Sequence, residues 1–280
     1  GIQILISGWF MIKTATNILK GVFKSRKGPK QGIGHLPWTL EKILKHQEDK
    51  EIKKVKIGNL VIWYKRPYEL LHTYKELYEK GLYKFSSSTA SPLIIDCGSN
   101  IGLSVLYYKQ LYPFSSIVAF EPDEQNFLLL QKNVGTNGLL EVQLHKAAVW
   151  IHNGTISFEG RESEASHISE GDTAHKVASI RLKDVLEQHD QVDFLKIDIE
   201  GAEWPVIVDC KDSLKHVAHL FLEYHGKVED TNKLTELLEI VKQNGFKVYI
   251  RNAADNLEHP FEERTTASIY DVQLNLFCYR

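Results

Sequence analysis

The sequence predicts an α/β protein built on a mostly parallel, doubly wound sheet, and three observations carry that prediction. Past Pro92, short apolar runs alternate with segments of helical periodicity, the pattern of strands joined by crossover helices. The runs Leu93–Cys97 and Val192–Ile197 are almost continuously apolar, as expected of strands covered on both faces. Three of the runs close on an acid, at Glu121, Asp198 and Glu223, at the carboxyl ends where open sheets of this type bind ligands.

Taken in order, Leu93–Cys97 reads as the first strand of this domain and 101–112 as its helix. Ser116–Phe120 follows as a strand. Asp123 then caps a helix whose inner stripe is Phe127, Leu130 and Val134. Strands are expected at 142–144, Val192–Ile197 and 217–222. Helices are expected at 203–210, with Pro205 in the first turn, and along Leu234, Leu237, Leu238 and Val241, closed by Gly245. Residues 246–250 and Val272–Tyr279 are the late strands.

Before Pro92 the pattern is different. Residues 54–64 alternate around Gly58-Asn59, a hairpin signature. Leu70, Leu71, Tyr74, Leu77 and Tyr78 mark an amphipathic helix that stops at Gly81. The Ser86–Pro92 stretch is rich in serine and reads as a linker. These features divide the chain into an N-terminal extension of helices and a hairpin, 1–90, and an α/β domain, 91–280.

Composition narrows the function classes. The 280-residue chain is 43% hydrophobic and 25% charged, near the globular average. A formal net charge of −2 carries no nucleic-acid signature. Cys97, Cys210 and Cys278 form no paired or metal-ligand spacing, which points to reduced thiols and a cytoplasmic location. Residues 1–12 are apolar but shorter than the roughly 20 residues a membrane span needs, and no cleavage site follows. Met11 is the only methionine, which suggests that translation starts there and that residues 1–10 are not native. Lys13, Lys20, Lys24, Arg26, Lys27 and Lys30 surround an apolar stripe at helical spacing, with no acid among them. We read this helix as docking on its own domain or on a sister subunit of a homo-oligomer, with peripheral membrane contact as the second reading.

The ligand signal is the stretch Asp96-Cys97-Gly98-Ser99-Asn100-Ile101-Gly102, where the first strand turns into the first helix. Glycines there admit a ligand close to the backbone. The helix N-terminus suits a carboxylate, and Asp96 offers an acceptor to an ammonium group. Glu121 lies 19 residues after Gly102 at the tip of the second strand, where an acid hydrogen-bonds ribose hydroxyls. A nucleoside carrying an amino-acid end, such as S-adenosylmethionine, satisfies both, and these two signals by themselves do not separate it from NAD. The G-x-x-x-G spacing departs from the dinucleotide fingerprint, no phosphate loop occurs, and no tyrosine has a lysine four residues on.

These blocks, together with Phe120-Glu121-Pro122-Asp123, the run from Phe194 to Glu203, Glu223-Tyr224-His225 and Asn244-Gly245-Phe246, resemble the FkbM-type methyltransferases over about residues 68–280. The resemblance implies a class I methyltransferase fold, Rossmann-like, with a seven-stranded sheet whose last strand is antiparallel. It implies S-adenosyl-L-methionine as cofactor, S-adenosyl-L-homocysteine as product, and a hydroxyl of a saccharide or small-molecule natural product as acceptor. By the same resemblance Asp96, Gly98, Ser99, Asn100 and Gly102 line the methionine end, Glu121 takes the ribose, and Lys146 and Ala147 lie near the adenine. Asp198 borders the cofactor as well.

A neutral hydroxyl needs a base or a metal to become a nucleophile. Asp198, Glu200 and Glu203 cluster after the Val192–Ile197 strand. Asp198 and Glu200 are expected to act on the substrate, and Glu203 to serve the dipole of its helix. A divalent cation on the three acids is the less favoured reading, because no histidine completes the cluster in sequence. Glu223 and His225 share a strand direction by period two. His225 is expected to be the general base, oriented by Glu223 or Asp198. Lys196 shares a face with Asp198 and is expected to pair with a carboxylate. The polar segment 152–176 is read as a loop or hairpin over the cleft. The alternatives to a methyltransferase are an NAD(P)-dependent oxidoreductase on a related sheet and a non-catalytic binding protein of the same fold.

Overall fold

A computed structural model describes residues 34–159, 167–168, 175–257, 259–262 and 268–280. The readings placed on residues 1–33, including the basic helix, and on much of 160–174 lie outside the described residues. No helix among the described residues is long and apolar enough to cross a membrane.

The chain opens with α1 (Trp38–His46), a hairpin of β1 (Lys53–Ile57) and β2 (Leu60–Tyr64), and α2 (Pro67–Tyr74), which runs into a π-turn at Lys75–Glu79. The hairpin turns at Gly58-Asn59 as the alternation predicts, with Ile57 opposite Leu60. Then come β3 (Leu93–Cys97), α3 (Leu103–Leu111), β4 (Ser116–Phe120), α4 (Glu124–Thr136) and β5 (Val142–His145). A small sheet of β6 (Ala148–Trp150), β7 (Gly154–Glu159), β8 (His167–Ile168) and β9 (His175–Arg181) follows. The chain closes with α5 (Leu182–Leu186), β10 (Val192–Ile197), α6 (Glu203–Asp209), β11 (Val217–Gly226), α7 (Thr231–Gln243), β12 (Lys247–Ala254) and β13 (Val272–Tyr279).

The main sheet has seven strands in the order β12-β13-β11-β10-β3-β4-β5. Only β13 runs antiparallel, to both β11 and β12. The direction of winding switches between β3 and β10, and the crevice at that switch is where a ligand belongs.

Each inner strand sends alternate residues to opposite faces. Ile94, Phe194 and Phe221 enter one apolar cluster, while Ile95, Leu195, Leu220 and Leu222 enter the other. The first cluster also contains Leu36, Ile62, Leu70, Tyr74, Leu77, Tyr78 and Tyr83, so the N-terminal segment covers this face of the sheet. Two residues further along each strand on the same face stand Asp96, Lys196 and Glu223. The covered apolar face thus runs directly into an ionisable patch at the carboxyl ends.

Two helix asparagines pin the hairpin in place. Asn133 accepts from the Trp63 N–H (2.6 Å) and donates to the carbonyls of Trp63 (3.0 Å) and Ile101 (2.8 Å). One turn later Asn137 accepts from the Val61 N–H (3.0 Å) and donates to its carbonyl (2.8 Å). The amides of α4 stand in for a neighbouring strand along the open edge of β2, whose backbone groups need partners once buried.

The segment read as a loop or hairpin carries an antiparallel strand pair. β7 and β9 pair antiparallel from Gly154 opposite Ser179 to Phe158 opposite His175. The strand ending in Glu223 also outlasts its predicted limit. β11 continues to Gly226 because β13 pairs along it as far as Val272 opposite Gly226. Glu223 and His225 are therefore strand residues, fixed by a ladder rather than carried on a loop.

Candidate active site

The turn after β3 is held by its neighbours. The N–H groups of Gly98 and Ser99 both donate to the Phe120 carbonyl (3.0 and 2.9 Å). Gly98 has φ +83°, and a Cβ on it would lie 1.9 Å from the Asp198 carbonyl oxygen. Only glycine fits there. Asn100, at φ +48°, donates its N–H to Glu121 Oε2 (2.7 Å), and Asp123 donates to Oε1 (2.9 Å). The Glu121 carboxyl thus ties the first turn to the second. Burial pushes its pKa up to about 7, against the opposing pull of those two N–H bonds.

Asp96 sits beneath this turn, fully buried. Ser104 donates to its Oδ2, and its Oδ1 lies 3.5 Å from Lys196 Nζ without a hydrogen bond. Lys196 donates to the Gly98 carbonyl (2.6 Å) and stands 3.3 Å from Asp198 Oδ2, which is the carboxylate pairing expected of it. Burial alone would lower its pKa, but Asp198 and Asp96 outweigh that and hold it charged.

The acid end is assembled from three elements. Asp198 and Glu200 stand after β10, Glu203 opens α6, and Glu223 and His225 come from β11. Glu200 has φ +53° and Gly201 φ +91°. Tyr270 closes over this bend, donating its O–H to the Glu200 carbonyl (2.6 Å) and occupying the space a Cβ on Gly201 would need. The bend curls the chain so that Asp198 and Glu200 both approach His225.

The Glu203 carboxylate is wholly buried and accepts from the N–H groups of Ile199 and Gly201 (both 3.1 Å), and from the Nδ1–H of His225 (3.2 Å). Here the structure corrects two expectations. Glu203 is an anchor for the imidazole, not chiefly a dipole charge. It also takes the orienting role expected of Glu223 or Asp198. Nε2 of His225 points the other way and lies 3.6 Å from Glu200 Oε2 and 3.6 Å from Glu223 Oε1, beyond hydrogen-bonding reach.

Burial opposes charge on His225, but Glu203, Glu200 and Glu223 together raise its pKa to about 10. His225, expected to be the general base, is thus one member of a cluster with Glu200 and Glu223 rather than an isolated imidazole. Burial likewise lifts Glu200 and Glu223 above the ordinary carboxylate range.

One cavity of about 190 Å³ joins the two halves. Gly98, Ser99, Asn100 and Ile101 line one end, Lys196, Asp198, Glu200 and Glu223 the other, and α2 with the π-turn after it forms a wall through His72, Thr73 and Glu76. Several expected cofactor residues stand outside its lining. Asp96 lies under the turn, and Glu121 is reached through Asn100. Gly102 begins α3 against Leu130. Lys146 pairs with Glu124 on the surface, and Ala147 is buried. None of the described residues of 152–181 lines the cavity. The wall from α2 had no signal in sequence, since its inward residues are those of any amphipathic helix.

Residues 96–248 match the model of the methyltransferase FkbM domain, more than half of the chain. The chain belongs to the FkbM methyltransferase family. Among relatives of this FkbM-family chain, Methyltransferase 1 of Beauveria bassiana is 27% identical over 170 residues, covering 51% of this chain and 68% of the fungal protein. The 2-O-methyltransferase NoeI of Sinorhizobium fredii is 28% identical over 155 residues, covering 48% of this chain and 63% of that protein. The matches therefore span about two thirds of these relatives. The crystal structure of an FkbM methyltransferase from Methylobacillus flagellatus superposes with a TM-score of 0.47 at 20% identity, over 72% of this chain and 47% of that one.

Proposed function

We propose that this FkbM-family chain transfers a methyl group from S-adenosylmethionine to a hydroxyl of a saccharide or a small-molecule natural product. The observation that carries the reading is the shared cavity, with the glycine turn at one end and a cluster of acids at the other. The 2-O-methyltransferase NoeI among the relatives supports oxygen as the acceptor atom.

The residues present fit the cofactor. Gly98 lets the turn pack against the Asp198 carbonyl where no Cβ fits, and Gly98, Ser99, Asn100 and Ile101 border the cavity. In this reading Gly98, Ser99, Asn100 and Ile101 hold the aminoacyl end. Each Glu121 oxygen accepts one N–H and retains a lone pair for a ribose hydroxyl. Bound S-adenosylmethionine supplies an electrophilic methyl on a positive sulfur, and the acceptor oxygen takes that methyl as the sulfur recovers its electron pair. The acids bind and orient the acceptor hydroxyl, because positioning supplies much of the rate of such a transfer. Glu223, which lines the cavity beside His225 Nε2, and His225 together form the pair that takes up the hydroxyl proton.

Calorimetric titration with S-adenosylhomocysteine and, separately, with NAD tests the reading. We expect the first to bind and the second not to, and Glu223→Gln to lower kcat at least tenfold while binding of S-adenosylhomocysteine persists. Binding of NAD alone would overturn it.

A further inference from the structure

No histidine adjoins Asp198 and Glu200 along the chain. The fold supplies one. A carboxylate oxygen of Asp198, one of Glu200 and a ring nitrogen of His225 all lie within 4.8 Å of one another. We propose that these three side chains bind one divalent cation of the Mn²⁺ or Zn²⁺ type, and that, on the methyl-transfer reading above, the cation seats the acceptor oxygen.

The imidazole is the observation that separates this cluster from an ordinary patch of acids. Its side chain is 2% exposed, and its Nδ1 is committed to the buried Glu203 carboxylate. Nε2 is thereby aimed between Glu200 and Glu223 and makes no hydrogen bond among the described residues. A histidine whose far nitrogen is fixed by a buried carboxylate is how proteins prepare an imidazole to ligate a metal, since that bond sets both the tautomer and the ring orientation. Glu203 is itself held by the N–H groups of Ile199 and Gly201, so the ring is braced from behind.

The charges favour a cation as well. Four acidic side chains, Asp198, Glu200, Glu203 and Glu223, converge on two basic ones, Lys196 and His225. Lys196 is partly spent on the Gly98 carbonyl. Two carboxylates and one imidazole suit Mn²⁺ or Zn²⁺ better than Ca²⁺, which prefers an all-oxygen shell. Three protein ligands leave positions open for water or for a substrate oxygen, whose pKa the ion would lower.

The test uses the full 280-residue chain after exhaustive dialysis against chelator. It is titrated calorimetrically with MnCl₂ and with ZnCl₂, and metal content is measured after gel filtration. We expect one ion per chain, with binding weakened at least tenfold in Asp198→Asn and in Glu200→Gln, both near-isosteric changes whose folding is checked by thermal melting. Absence of binding by both ions to the folded wild type would overturn the site. So would binding that neither substitution weakens, which would place the ion on the acidic surface. The same samples are titrated with S-adenosylhomocysteine. Nucleoside binding without ion binding sinks the metal site alone, whereas ion binding without nucleoside binding keeps the site and sinks the methyl-transfer reading.

Discussion

The two ends of the cavity are built by different physics. At the glycine end, backbone groups make the structure: two N–H groups share the Phe120 carbonyl, and Glu121 bridges two more. At the acid end, side chains from β10, α6 and β11 hold one another through Glu203 and His225. A backbone site is compact in sequence, so its residues arrive as a motif. A side-chain site gathers residues whose partners are set only when strands align. The comparison predicts that damage at the glycine end acts through sterics, and damage at the acid end through unpaired charge.

The largest effect is expected at Gly98. Alanine there would place Cβ 1.9 Å from the Asp198 carbonyl and keep φ at +83°. Because the contact is with backbone, relief requires β3 and β10 to shift apart. We expect Gly98→Ala to lose more than about 3 kcal/mol, combining left-handed strain with overpacking, and to lose S-adenosylhomocysteine binding. Chemical denaturation and calorimetry measure both. A stable Gly98→Ala protein would show that the two strands yield easily, and the contrast between the ends would disappear.

Next in size is Glu203→Gln. The amide keeps the shape but gives up the charge that faces His225, and its NH₂ group must meet donors from Ile199, Gly201 or His225. Breaking a buried charged pair costs about 3–5 kcal/mol when one partner is removed outright. For this near-isosteric change we expect about 2–4 kcal/mol, read from urea midpoints, together with a fall in the His225 pKa followed by NMR. Stability within about 0.5 kcal/mol of wild type would mean that the backbone donors alone secure this carboxyl.

The same contrast explains what could be read in advance. The succession of strands and helices past Pro92, the hairpin at Gly58-Asn59 and the cap at Asp123, which accepts from the Asn126 N–H at 2.9 Å, follow from local patterns and were legible. Asp198, Glu200, Glu223 and His225 were legible as a set, because period two and strand ends place them together. Their wiring was not. Glu203 and His225 are 22 residues apart, and nothing local distinguishes Glu203 from the many acids that open helices. The pairing of 154–159 with 175–181 was legible only as a loop-or-hairpin reading, because both strands mix polar with apolar residues and the ladder partner lies beyond a long interval. The role of Asn133 was equally hidden, since a mid-helix asparagine gives no hint that it will serve a strand edge 70 residues away.

The smallest effect concerns Glu121, and it asks whether the glycine end is purely a matter of amides. Its pKa in the folded protein is raised to about 7 from an ordinary 4.5, with burial as the main cause. Between those values the folded state binds a proton that the unfolded state has released. Stability therefore falls as pH rises through this window, by on the order of 1–3 kcal/mol from this group by linkage. Glu200 and Glu223 are shifted in the same direction, so the wild-type slope alone does not isolate Glu121. The difference between wild type and Glu121→Gln does, because the variant retains every other titrating group. We expect urea midpoints of the ligand-free wild type to fall more steeply between pH 5 and pH 8 than those of Glu121→Gln. Equal slopes would mean that the N–H groups of Asn100 and Asp123 keep Glu121 ionised despite its burial. The glycine end would then be an amide site throughout, sharpening its difference from the charged end.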